Sequence, residues 1–365
     1  MRNGTAENSA EKSHGLQRPI AIYYEHPDWF RPLFQRLDES GVTWKKIDAR
    51  NHQYDAASVE EEFSLLFNRM SPSAWQRGLG HCIFYTLNYL AHLEAKGVRV
   101  VNGYRGFAHE ISKAKQLTNL ETLGLPYPKA RVINHVSQAM DAAEAIGYPV
   151  VIKPNIGGSG AGIEKFSSPA ELKKAVDENR LYFGIDSTAL VQEAFTPRDG
   201  VITRIEVLGG KYLYAIKIHT TGESFNLCPA DICQSTKGEA LTRIACPADA
   251  PRTGMTVEAY NPPPQVIEDA ERIMALAGVE VGGIECVTDD RTGRQLYYDV
   301  NALSNFVADP VRVIGFDPYA RLAEYLIQEA IRHEAAARGA ARSENKIASE
   351  VSREVTREVT REVAR

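Results

Sequence analysis

Apolar positions along the chain repeat with two periods, and their alternation lays out the elements before any chemistry is considered. Residues 1–18 are polar and aperiodic, which predicts a disordered lead-in, and the run IAIYY after Pro19 opens the first strand. A helical period over 29–40 follows, then strands at VTWKKI and SLLFNR, a helix over 79–96 and a strand at VRVVN. Strands separated by helices imply a parallel sheet with crossover helices, so residues 19–103 read as a small open α/β domain. A helix over 106–123, stopped by Gly124 with Pro126 and Pro128 beyond it, makes 104–128 a connector.

Over 129–190 the pattern becomes strand, helix, strand (PVVIKP), glycine-rich turn, strand (GIEKF), helix and strand (ALVQE), a compact α+β unit. From 191 to 338 come two long strands meeting at Gly209-Gly210, a hairpin signal, and a polar, proline-rich span over 226–264. A helix over 265–277, a second strand pair (VGGIECVT and RQLYYDVN) and a last helix over 318–338 complete this part. Residues 339–365 end in EVSREVTREVTREVAR, four E-V-x-R tetrapeptides that read as a solvated, charged tail, with a short coiled-coil segment as the other reading.

A length of 365 residues favours two or three domains, and 44% hydrophobic with 24% charged residues is ordinary globular composition. A net charge of -5 excludes a protein whose main business is binding nucleic acid through phosphate contacts. The five cysteines form no CxxC pair, which argues against disulfides and structural zinc. With no apolar leader and no 18-residue apolar run, no membrane partner is expected, and the cytoplasm is the expected compartment.

Against this background the second strand pair carries the strongest chemistry. Alternation puts Asp299 and Asn301 on one face of their strand, and a turn centred on Thr292 places Glu285 opposite Asp299. Two carboxylates and an amide oxygen converging there suit a hard cation such as Mg²⁺. In VVIKPNIGGSGAGIEKF, Lys153 ends a strand and is followed by Gly157, Gly158, Ser159, Gly160 and Gly162, a loop whose N–H groups can approach phosphates closely. It is neither a Walker A box nor a dinucleotide fingerprint, because the glycines lead into a strand. Lys113 on the connector, the edge LVQEAF with Gln192, Glu193 and Phe195, and the cations Arg204 and Lys217 in neighbouring strands complete the candidates.

In this order, EISKAKQLTNLETLGLPYP, PVVIKPNIGGSGAGI, LVQEAF, GGIECV and YYDVN resemble the ATP-grasp superfamily over about residues 19–332. The likeness is greatest to its ribosomal-protein glutamate ligase, lysine-biosynthesis carrier-protein ligase and glutathione synthetase branch. It implies an N-terminal open α/β pre-grasp domain (19–103), a glycine-loop lid (129–190) and a C-terminal antiparallel-sheet grasp domain (191–338). It implies that Lys113 and Lys153 hold ATP phosphates, with Gly158, Ser159 and Gly160 over them. Gln192, Glu193 and Phe195 would line the adenine pocket, and Glu285, Asp299 and Asn301 would hold two Mg²⁺, with Mn²⁺ as an alternative. Arg204 and Lys217 would face the transferred phosphoryl group. Glu285 stands where this branch often has Asp.

The implied activity is an ADP-forming carboxylate–amine ligase acting through an acyl phosphate. Its partners would be a small-molecule carboxylate and amine, or a peptide or carrier protein, and a homo-oligomer is allowed. Arg69 after a first-domain strand, His219, and Asn226 in the span 220–260 are the substrate candidates. A phosphotransferase, with His219 near the right segment, and a nucleotide-binding regulatory protein are the alternatives.

Overall fold

In a computed structural model the described residues are 15–26, 28–57, 62–158, 160–219 and 256–363, with side chains left out at 341 and from 344 onward. Three sheets organise them. The first is parallel, in the order β2-β1-β3-β4, from β1 (Ile20–Tyr24), β2 (Trp44–Asp48), β3 (Leu65–Arg69) and β4 (Arg99–Val101), with α1 (Arg31–Ser40) and α2 (Gly80–Ala95) as crossovers. A parallel sheet needs both faces covered, and β1 alternates accordingly. Ile20, Ile22 and Tyr24 pack with Leu33 and Leu37 of α1, while Ala21 and Tyr23 pack with Ile83, Leu90 and Leu93 of α2.

The connector, expected as one helix, is two: α3 (Tyr104–Glu110) and α4 (Lys113–Thr122). Ser112 between them is extended, and its hydroxyl accepts a hydrogen bond from the Lys115 N–H at 3.2 Å. That N-cap satisfies one orphan donor and restarts the helix, so Lys113 becomes its first residue.

The second sheet is antiparallel, in the order β5-β8-β6-β7, from β5 (Ala130–Ile133), β6 (Val150–Pro154), β7 (Glu164–Phe166) and β8 (Ala189–Glu193), with α5 (Ala139–Ile146) and α6 (Pro169–Asp177) on one face. The third has the order β11-β10-β9-β12-β13 and comprises β9 (Pro197–Leu208), β10 (Lys211–His219), β11 (Thr256–Tyr260), β12 (Val281–Asp289) and β13 (Gln295–Asn301). The Gly209-Gly210 hairpin is as expected: both residues are left-handed and Lys211 pairs with Leu208. Strand β11 lies in the span read as a polar loop. It is a short, mostly exposed edge strand without a buried face, so alternation gave no signal.

Helix α7 (Pro264–Ala277) covers one face of this sheet through Val266, Ala270, Ile273 and Met274, packing on Ile205, Ala215, Ile284 and Tyr297. A short α8 (Pro310–Ile314) precedes α9 (Pro318–Val363), which runs on through the tail instead of ending at 338. No proline interrupts it after its start, and the repeat sets Glu three residues ahead of Arg, a favourable helical spacing. Its first turns pack Leu322, Leu326 and Ala330 into the core, and Glu334 accepts from the Gln17 N–H at 3.0 Å and the Arg18 N–H at 3.2 Å. Among the described residues no helix is long and apolar enough to cross a membrane.

Candidate functional site

Where the connector, the second sheet and the third sheet meet lies a cavity of about 360 Å³. One wall follows from strand register. Arg204 of β9 pairs with Glu285 of β12, and Glu285 pairs with Asp299 of β13, so three charged side chains stand in a row on one face. This is the register expected from a turn about Thr292. Beyond it the pairing slips by one, Cys286 pairing with Tyr297, and Tyr298 becomes a bulge. The bulge turns the Tyr298 hydroxyl onto Glu285 Oε2 at 2.7 Å. Arg204 donates to Glu206 Oε1 at 2.7 Å, to Glu285 Oε1 at 2.9 Å and to Ser304 Oγ at 2.9 Å. Asn301 lies two residues beyond Asp299 and lines the same cavity.

Opposite this wall, Lys113 at the start of α4 pairs its Nζ with Asp299. Burial pulls the Lys113 pKa down, but the Asp299 carboxylate outweighs it and the net shift is upward. Asp299 moves the other way: burial raises its pKa, yet Lys113 more than compensates, so it stays ionised. Glu285 is pushed up, chiefly by burial and then by Asp299, against the pull of Arg204. Lys153, the fourth residue of β6, is 6% exposed, and burial together with Lys113 lowers its pKa to about 7.

The remaining lining comes from the second sheet. Gln192 is buried on β8, its Oε1 lacking a hydrogen-bond partner among the described residues, and Phe195 packs on Tyr298 with ring centroids 5.2 Å apart. Glu193 is engaged, accepting from the Lys129 N–H at 2.9 Å. Gly157, Gly158 and Gly160 close over the cavity. A Cβ on Gly158 would stand 2.7 Å from Ser73 Cβ, and the Gly158 carbonyl accepts from Gln76 Nε2 at 3.0 Å, so only glycine allows this approach of the loop to the first domain.

The structure thus gathers Lys113, Lys153, Gly158, Gly160, Gln192, Glu193, Phe195, Arg204, Glu285, Asp299 and Asn301 around one cavity. Ser159 and Asn226 lie outside the described residues. Three expectations are corrected. Ile216, not Lys217, pairs with Arg204, so Lys217 projects from the opposite face, where its Nζ sits 4.5 Å from the Tyr260 ring centroid. His219 lies two residues along on that same face and contacts Glu258 at 3.1 Å. Arg69 ends β3 buried, donating to the Ala302 carbonyl at 3.3 Å, the Ser304 carbonyl at 2.6 Å and Asn305 Oδ1 at 3.1 Å, which ties the first domain to the segment after β13.

Glu110, Gln116 and Tyr298 also line the cavity and were not anticipated. Gln116 was within reach of the sequence, because it stands one helical turn after Lys113 on the same face. Tyr298 was not, because only the bulge brings it round.

The family described as D-ala D-ala ligase C-terminus matches residues 120–242. A D-alanine–D-alanine ligase of Pseudomonas putida (strain GB-1) is 26% identical over 307 residues, 82% of this chain and 86% of its own length. The structure of the ATP-grasp ligase PsnB with a minimal precursor superposes with a TM-score of 0.58 at 20% identity, covering 86% of this chain and 99% of that one. The fold is that of the ATP-grasp superfamily. A carbamoyl phosphate synthase large chain of Thermotoga sp. (strain RQ2) is 24% identical over 66% of this chain but only 21% of its own length, so the chain spans about a fifth of such relatives.

Among the described residues no three His, Cys, Asp or Glu side chains gather into a metal cage. The all-oxygen set of Glu285, Asp299 and Asn301 instead fits Mg²⁺, which keeps few protein carboxylates and completes its shell with phosphates and water.

Proposed function

We propose that this chain is an ATP-dependent, ADP-forming ligase that phosphorylates a carboxylate to an acyl phosphate and transfers the acyl group to an amine. The observation that carries the reading is the row Arg204, Glu285, Asp299 facing Lys113 and Lys153 across one cavity. Lys153 and Lys113 offset the phosphate charge, and Gly157, Gly158 and Gly160 present backbone N–H groups to it. Gln192 Oε1, a buried acceptor without a partner, suits the exocyclic amino group of adenine, with Phe195 beside it. Glu285, Asp299 and Asn301 would hold two Mg²⁺, which when bound neutralise charge on the terminal phosphates. Arg204 would stabilise the oxygens of the acyl phosphate and the later tetrahedral oxyanion.

No nucleophilic side chain is needed, because holding both substrates in a dry cavity supplies the orientation. The comparisons support a small-molecule or peptide substrate: one relative is a D-alanine–D-alanine ligase, and the structural neighbour PsnB has also been solved with a precursor peptide. The buried free thiols Cys82 and Cys286 fit a cytoplasmic enzyme. The phosphotransferase alternative loses its acceptor, since His219 lies on the far face of the third sheet.

The test is to incubate the protein with ATP, Mg²⁺ and a pool of amino acids and short peptides, following nucleotide and acid by mass spectrometry. The expected outcome is acid-dependent ADP and phosphate with a new amide. AMP and pyrophosphate, or a stable phosphoester, would overturn the assignment.

A further inference from the structure

Strand β13 carries two of the three proposed metal ligands, yet among the described residues it is the edge of its sheet, paired with β12 alone. An edge strand presents a row of backbone groups with no neighbour, and a ligand pair on such an edge is free to shift unless something holds the row. Here the connector takes the place of a sixth strand. The Tyr297 N–H donates to the Pro126 carbonyl at 2.9 Å. Gln116 meets Val300 as a strand would, its Oε1 accepting from the Val300 N–H at 3.3 Å and its Nε2 donating to the Val300 carbonyl at 2.9 Å. The Ala302 N–H donates to the buried carboxylate of Glu110, and the Ala302 carbonyl accepts from Asn102 Nδ2 at 2.8 Å.

Val300 and Ala302 alternate with Asp299 and Asn301, so the clamped backbone groups flank the ligand side chains on either side. Glu110 and Gln116 also bracket Lys113, three residues before it and three after. The clamp therefore fixes the acidic wall and the lysine that faces it as one unit.

We propose that Gln116 and Glu110 are positioning residues that hold the free edge of β13, and through it set Asp299 and Asn301 for the metal–nucleotide complex. Both are buried, at 3% and 7% exposure, where a lost partner leaves a backbone group unsatisfied. The proposal rests on the metal-site reading above and assigns these two residues a part in it. Groups that orient metal ligands typically change metal affinity about 10–100-fold when removed.

The experiment is calorimetric binding of ADP with and without Mg²⁺ to wild type, Gln116→Met, Glu110→Ala and Glu110→Gln, each checked for its melting temperature. Wild type should bind ADP more tightly when Mg²⁺ is present. In Gln116→Met and Glu110→Ala the Mg²⁺ concentration giving half of that gain should rise about 10-fold, a clearly larger change than any in metal-free ADP affinity. Glu110→Gln keeps an acceptor for the Ala302 N–H and should bind as wild type does. If Gln116→Met does not fold, Glu110→Ala and its conservative partner Glu110→Gln carry the test. Wild-type metal linkage retained unchanged in the folded variants would overturn the positioning role alone. Equal weakening of metal-free and metal-loaded binding would reduce the clamp to a structural one and also overturn it. Absence of metal linkage in wild type would overturn the metal reading and this proposal with it.

Discussion

The two walls of the cavity are built on opposite principles. On the third sheet Arg204 is bonded to Glu206, Glu285 and Ser304, and Glu285 also accepts from Tyr298, so most of the polar groups pair with one another without any ligand, Glu206 Oε2 being the exception. On the second sheet Gln192 Oε1 lacks a partner and Lys153 is buried with its pKa lowered to about 7. A network whose members mostly satisfy one another holds its geometry before any ligand arrives, whereas a buried acceptor facing the cavity without a partner is destabilising until a ligand supplies one. Under the proposed ligase reading, the first wall would meet transition-state charge and the second would capture the nucleotide.

Substitutions should separate the two walls. Asp299→Asn removes a charge facing Lys113 at nearly constant volume, and it should lower kcat on the order of 100-fold or more while the protein stays folded. Near wild-type turnover by coupled ADP assay would sink the metal assignment. Lys153→Ala acts on the capturing wall, so it should weaken nucleotide binding about 10–100-fold in calorimetry, the range for losing a charge-assisted contact. Because Lys153 is lowered in the free protein and phosphate would raise it, nucleotide binding by the wild type should take up a proton. Affinity should then fall as pH rises above about 7. A pH-independent affinity between 6 and 9 would place Lys153 away from the phosphates.

Gly158→Ala probes the glycine loop between the walls. Its Cβ would stand 2.7 Å from Ser73 Cβ, and overpacking of that kind should cost about 10-fold in kcat/KM, more through KM than through kcat. Unchanged kinetics would mean that the loop does not need this approach to the first domain. The smallest effect is expected from deleting residues 340–365: turnover should be unchanged, since Leu322, Leu326 and Ala330, which anchor α9 in the core, all precede them. A large loss of activity in a folded truncation would bring the tail into the site.

What the sequence made legible follows the same division. Alternation and a turn about Thr292 placed Glu285 opposite Asp299 correctly, although the pairs nearest the turn are offset by one and the bulge at Tyr298 restores this pairing. Lys217, named for its place in a strand next to that of Arg204 and by the resemblance, was misplaced, since facing Arg204 depends on the register of β9 with β10, which shifts between Tyr212 and Tyr214. Arg69 looked like a loop residue because nothing local tells that its guanidinium is taken by carbonyls more than two hundred residues further on. The break at Ser112 was written as an N-cap residue, but the apolar period runs through it, and the period won the reading. Glu110 owes its role to the free edge of β13, a property of sheet order that no local pattern contains.

The account turns on an acyl phosphate held between Arg204 and the lysines. Hydroxylamine, small and nucleophilic, should replace the amine and trap the activated acid as a hydroxamate during acid-dependent conversion of ATP to ADP and phosphate. The measurement is hydroxamate formed per ADP released, in wild type and in Asp299→Asn. The account predicts close to one hydroxamate per ADP in wild type and neither product in the variant. Acid-dependent ADP release without hydroxamate, or cleavage to AMP, would contradict it.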